Sequence, residues 1–199
     1  MVIFTRMFSR ISAWLLKILG WTVHADFPDA EKYVLIVAPH TSNWDFPLGI
    51  LAKTALRLDV RWMGKHTLFR WPVAWFFHAL GGVPVHRGQA LNMIDQMAEV
   101  FTGPGPVVLA LAPEGTRVKK DHWKTGFYHI AQAAEVPIAM AYLDYGKKDI
   151  GLGGTFYPGE NIWEDFIRIR EFYQDRRGKY PEQESVIKVR EKQARDAPV

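Results

Sequence analysis

The chain of 199 residues contains no cysteine. That excludes disulfides, a thiol nucleophile and a thiolate metal site, and it fits a protein facing the cytosol. Residues 1–21 contain no acidic side chain. Their apolar stretch is also broken by charges before it reaches the roughly 18 uninterrupted apolar residues of a spanning helix. There is no internal repeat, no low-complexity stretch and no nucleic-acid-binding motif. There is also no metal-ligand pattern such as His-Glu-x-x-His. Neither a metal nor DNA or RNA is expected as a partner.

The hydrophobic content is 48%, that of a globular chain rather than a polytopic membrane protein, and the length suits one domain with a sizeable core. The net charge of +4 and the isoelectric point near 9.3 point to acidic partners, with an anionic lipid surface among them. The amino terminus strengthens that choice. At about 100° per residue, Arg6, Arg10 and Lys17 fall within an arc of about 40°. Ile3, Phe4, Met7, Phe8, Ile11, Trp14, Leu15, Ile18 and Leu19 cover the broad opposite side. This pattern predicts a basic amphipathic helix lying in a membrane interface. The alternative is an ordinary helix packing its apolar side on the core. Val23-His24-Ala25 has the look of a signal-cleavage site, but Lys17 inside the would-be apolar region argues against one.

Two apolar runs end in polar motifs. Tyr33 to Ala38 reads as a buried strand and leads into Pro39-His40-Thr41-Ser42-Asn43-Trp44-Asp45, with a helix expected over Trp44 to Leu58. A carboxylate near the start of that helix can accept a proton from one imidazole nitrogen of His40 and leave the other basic. A second His-x4-Asp match, His24 and Asp29, has no strand before it, and Pro28 disfavours a helix through Asp29. The other run, Val107 to Ala112, leads into Pro113-Glu114-Gly115-Thr116-Arg117. Gly115 permits a tight backbone path there, Glu114 supplies an acceptor, and Arg117 offers a fork for phosphate or carboxylate. Strand ends of this kind meet at one edge of an α/β sheet, where such folds place their sites.

With Gly81-Gly82-Val83-Pro84-Val85-His86-Arg87 and Val136-Pro137-Ile138-Ala139-Met140, these motifs make four ordered blocks. In that set the chain resembles the glycerolipid acyltransferase family, whose best-known members act on 1-acylglycerol-3-phosphate. The resemblance implies a single α/β domain with a mostly parallel central sheet flanked by helices. Residues 1–30 would be the membrane-associating segment, 31–177 the acyltransferase domain and 178–199 a charged tail, mobile or loosely docked. It implies acyl transfer from a thioester, acyl-CoA or acyl carrier protein, to a lysolipid hydroxyl, with no bound cofactor, in phospholipid biosynthesis. His40 and Asp45 would be catalytic. Arg87, Glu114, Gly115, Thr116 and Arg117 would bind substrate. Ser42 would cap the following helix. Ala112 before the third block and His86 before Arg87 depart from the family pattern. An ornithine lipid, another lysolipid or a glycolipid therefore stays open as acceptor, as does hydrolysis of a thioester or lipid ester. The expected location is peripheral or monotopic, at the cytoplasmic face of a membrane.

Overall fold

Strand β2 (Lys32–Ala38) lies at the middle of the sheet. Its neighbours on both sides hydrogen-bond it, and its side chains Tyr33 to Ile36 are buried whichever way they point. A strand covered on both faces needs a continuous apolar run rather than an alternating one, and Tyr33 to Ala38 is such a run. The computed structural model describes residues 2–85 and 90–190. Around β2 stand β1 (Thr22–Ala25), β3 (Val60–Lys65), β4 (Gly82–Val85), β5 (Val107–Leu111), β6 (Ile138–Asp144) and β7 (Asp149–Phe156). The helices are α1 (Val2–Ile18), α2 (Asp45–Ala55), α3 (Ala74–Ala79), α4 (Ala90–Glu99), α5 (Gly126–Ala133) and α6 (Ile162–Tyr173). The seven strands run in the order β1-β7-β6-β2-β5-β3-β4. β6 and β7 pair antiparallel as a hairpin, and the other pairs are parallel. This is a single α/β domain with a mostly parallel sheet.

The two faces of the sheet are filled differently. On one, Val34, Ile36, Leu109, Ile138 and Met140 pack against large side chains of α5 and α6, among them Phe127, Ile130, Phe166 and Ile169. Asn161 caps α6 by accepting a hydrogen bond from the Trp163 N–H at 3.1 Å. On the other face the sheet presents small residues, Ala110, Ala139 and Ala141, beside Leu35 and Val60. Helix α2 stands over that face and does not fill it.

Helix α1 packs along α2, but not by its apolar side. Among its described side chains Ser9, Ser12 and Leu16 are buried, and the Ser9 hydroxyl donates to the Ala55 carbonyl at 2.9 Å. Met7, Phe8, Ile11, Trp14, Ile18 and Leu19 remain 44–61% exposed. Arg6, Arg10 and Lys17 are exposed beside them. The helix therefore has a narrow packing face of Ser9, Ser12 and Leu16, a basic face and an exposed apolar face. No helix among the described residues is long and apolar enough to cross a membrane.

Two segments differ from the sequence expectation. Thr22–Ala25, placed with the amino-terminal segment, is an edge strand of the sheet paired with β7. Residues 178–190, expected to be a mobile or loosely docked tail, lie against the domain. Lys120 N donates to Ser185 Oγ, Val186 N to Lys120 O and Trp123 N to Lys188 O, and Val189 is buried. Charged residues dominate the composition there, yet every second side chain from Ser185 to Val189 turns inward.

Candidate active site

Parallel pairing brings the motifs together. Ala38 of β2 is level with Tyr142 of β6, and Ile36 with Leu111 of β5. The chain segments after β2, β5 and β6 thus leave the sheet at one edge, carrying His40, the residues from Pro113 to Arg117, and Tyr145. His40 and Asp45 meet there: His40 Nδ1 is 3.0 Å from Asp45 Oδ2. That contact leaves Nε2 as the imidazole nitrogen turned away from the carboxylate. Asp45 is the first residue of α2, and its side chain is buried. A buried carboxylate needs donors, and it has them. Oδ2 also accepts from Ser42 N at 2.9 Å, and Oδ1 accepts from the Tyr145 hydroxyl at 2.7 Å. Ser42 Oγ accepts from Trp44 N at 3.1 Å, so it orders the turn just before α2 rather than capping a residue within the helix.

Glu114 braces this loop from behind. Its Oε1 accepts from His40 N at 2.6 Å and its Oε2 from Ser185 N at 3.4 Å. Burial pushes its carboxyl above the ordinary value, and the bonds from His40 and Ser185 oppose that. The family resemblance implies substrate contact for Glu114. The structure turns it to the inner side of the loop, where it lines a cavity of about 40 Å³ with Trp123, Tyr173 and Arg176. Arg117 is exposed, and its Nε donates to Ser42 O at 3.2 Å. Gly115 has φ +64°, and a Cβ there would lie 2.9 Å from the Lys124 side chain, so the turn favours glycine. The segment after α6 covers the loop from the other side, with Tyr180 N donating to Thr41 Oγ1 at 3.1 Å. Arg87 and His86 lie outside the described residues. His24, the other motif candidate, pairs with Asp149 of β7 at 3.2 Å.

Beneath α2 lies a cavity of about 680 Å³. His40, Asp45, Gly115, Thr116 and Arg117 line it at the sheet edge. From there it extends between Leu35, Ala110 and Ala141 of the sheet and Phe46, Gly49 and Ala52 of α2, with Leu56 just past its end. Its volume is that of a small-molecule site. It exists because the sheet residues on this face are small and α2 offers glycine and alanine opposite them. Lys53 also lines it, with its ammonium donating to the carbonyls of Val60 and Leu80 at 3.2 and 2.9 Å, and burial lowers its pKa. An imidazole paired with a buried carboxylate thus stands at the sheet-edge end of an apolar cavity, with a guanidinium beside it.

The chain belongs to the Acyltransferase family, which it matches over residues 21–143. Its fold is similar to the crystal structure of the 1-acyl-sn-glycerophosphate (LPA) acyltransferase PlsC from Thermotoga maritima, with a TM-score of 0.54 and 17% identity. The likeness covers 88% of this chain and 81% of that one. At that identity it is a likeness of fold. No curated protein matches the chain in sequence.

Proposed function

We propose that this protein transfers a fatty acyl group from a thioester, acyl-CoA or acyl carrier protein, to the free hydroxyl of a lysolipid, most simply 1-acylglycerol-3-phosphate. The observation that carries the reading is the His40–Asp45 pair, 3.0 Å apart, at the mouth of the 680 Å³ cavity. His40 Nε2 takes the proton of the acceptor hydroxyl as its oxygen attacks the thioester carbonyl. Asp45 holds the imidazole in the required tautomer and stabilises it when charged. The tetrahedral intermediate then collapses, the C–S bond breaks, and the imidazolium returns its proton to the leaving thiolate. The nucleophile is the acceptor itself, so no acyl-enzyme is needed. The acyl chain lies under α2, where apolar walls remove it from water. Arg117, with Thr116 and Gly115, meets the acceptor phosphate at the rim through the paired hydrogen bonds a guanidinium offers. Arg87 joins it by the family resemblance.

The substrates are lipids, and α1 is built to meet them. Its apolar side chains face solvent rather than the core, flanked by basic residues, which suits a helix lying in an anionic interface. The test is acyl transfer in mixed micelles from palmitoyl and oleoyl thioesters to a panel of lysolipids, with His40→Ala beside the wild type. Phosphatidate made by the wild type and lost in the variant supports the reading. A product from another acceptor keeps the mechanism and moves the substrate. Thioester hydrolysis without transfer would make the protein a hydrolase.

A further inference from the structure

Asp45 has two carboxylate oxygens, and the pairing with His40 uses one of them. The other, Oδ1, accepts a hydrogen bond of 2.7 Å from the Tyr145 hydroxyl. Tyr145 is 100 residues away in sequence, just past the end of β6, and two residues beyond the stretch that matches the family. Nothing in the four motif blocks points to it. We infer that Tyr145 is a positioning residue for acyl transfer, which acts through Asp45 by fixing the carboxylate plane and drawing charge from it, and so tunes how strongly His40 takes up a proton. The inference rests on His40 acting as the base.

A carboxylate on a single Cβ–Cγ bond is free to turn, and its value as an orienting group depends on being held. Asp45 is held by three donors from three directions: Ser42 N, His40 Nδ1 and the Tyr145 hydroxyl. Tyr145 in turn is fixed at both ends. Its N–H donates to the Arg177 carbonyl at 2.8 Å, and its ring stands edge-on to Trp21 with centroids 5.0 Å apart. The hydroxyl therefore arrives at Oδ1 already placed. Burial, and then the bond to Asp45, raise the Tyr145 phenol well above its ordinary value, so it remains a donor throughout the working range.

Other groups bear on the dyad. Glu114 accepts from His40 N, and the Arg117 Nε holds Ser42 O. Tyr180 acts electrostatically on Tyr145, and Lys179 sits over the rings of Trp44 and Tyr180 at 5.2 and 5.9 Å. All of these stay in place in Tyr145→Phe, which removes one oxygen and keeps the ring. Without that donor, more of the Asp45 charge falls on His40, and the charged imidazole is favoured. A base with a raised pKa is disarmed over a wider acid range, so the acid limb of the rate profile moves to higher pH.

The experiment measures kcat/KM against pH for the wild type, Tyr145→Phe and His40→Ala, with palmitoyl thioester and lysophosphatidate in mixed micelles. The His40 ring titration is followed in parallel by NMR of histidine-labelled protein. Tyr145→Phe is expected to move both the acid limb and the His40 titration upward by about half a unit or more. Its kcat should fall about tenfold, with both KM values unchanged. A Tyr145→Phe enzyme with a lower melting temperature but an unmoved limb and titration would show that Tyr145 only packs. Trp21→Leu frees the ring while leaving the hydroxyl, and should shift the limb in the same direction by less. If Tyr145→Phe does not fold, that variant decides, and an unmoved limb overturns the inference. Full transfer by His40→Ala would sink the base assignment instead, and the NMR titration would still report on Tyr145.

Discussion

Gly49 offers the sharpest test of where the acyl chain lies. It follows Asp45 by one helical turn, lines the cavity, and has nothing within 4 Å of where a Cβ would stand. Glycine inside a helix is about 1 kcal/mol less favourable than alanine. No neighbour here forces that choice, so the open space is the reason left for it. Gly49→Ala should therefore stabilise the fold by up to about 1 kcal/mol, read as about 2–4 °C in Tm, and leave activity intact. Larger side chains should act differently. At about 1.5 Å per residue, position 49 stands about 6 Å along α2 from Asp45, and Leu56 about 16 Å. Extended chain geometry gives about 1.2 Å per bond, so a chain entering at the dyad passes position 49 after about five bonds and Leu56 after about thirteen. A phenylalanine at 49 would shut out about eight methylenes, worth at most about 6 kcal/mol at about 0.8 each. A third of that, about 2 kcal/mol, is already about 30-fold. The assay is competition among thioesters of graded chain length, with products resolved by mass spectrometry. Gly49→Leu and Gly49→Phe should lose long-chain transfer by about 30-fold or more relative to the shortest donors. An equal fall for all lengths, or no change, would refute the placement of the chain under α2.

Three further outcomes follow from the same geometry. Asp45→Asn and His40→Ala should each lower transfer by about a thousandfold or more while the protein stays folded by circular dichroism, because each removes half of the base. Raised burial of the Glu114 carboxyl makes the folded state bind its proton more tightly than the unfolded state. Stability should therefore fall as pH rises from the ordinary carboxyl value of 4.5 through the higher folded value, then level off. Urea unfolding across that range should show the step in the wild type and not in Glu114→Gln. That variant should also be destabilised by about 1–3 kcal/mol, since an amide N–H₂ would face the Ser185 N–H or the His40 N–H. Trp14→Glu with Ile18→Glu should weaken co-sedimentation with phosphatidylglycerol vesicles at least tenfold and barely alter Tm, because both side chains are exposed. A large loss of Tm would mean that α1 uses this face to pack.

What could be read from the sequence, and what could not, divides along sequence distance and summed volume. The His40–Asp45 pair was legible because both residues belong to one strand–loop–helix unit, where local geometry settles whether they meet. The link to residues 113–117 was legible at one remove, since two continuous apolar runs imply adjacent buried strands and parallel strands end at one edge. Tyr145 carried no comparable signal. Its hydroxyl reaches Asp45 only because β6 is registered against β2, and one sequence does not state a register. Glu114 was read by type, as an acceptor near a site, but its direction depends on Ser185, which lies in a segment whose charge hid its packing. The alternation Ser185, Ile187, Val189 was the missed sign of that packing. The cavity was the least legible feature. Ala110, Ala141 and Gly49 are unremarked small residues until strand register and the seat of α2 bring them opposite one another, and then a void follows from what each of them lacks. Helix α1 makes the same point in reverse. Its apolar arc was plain in the sequence, and both a core-packing and a lipid-facing reading fitted it. Ser9, Ser12 and Leu16 speak against the first, because a helix that seats two serines and one leucine against its neighbour has turned its large apolar side chains away from the core.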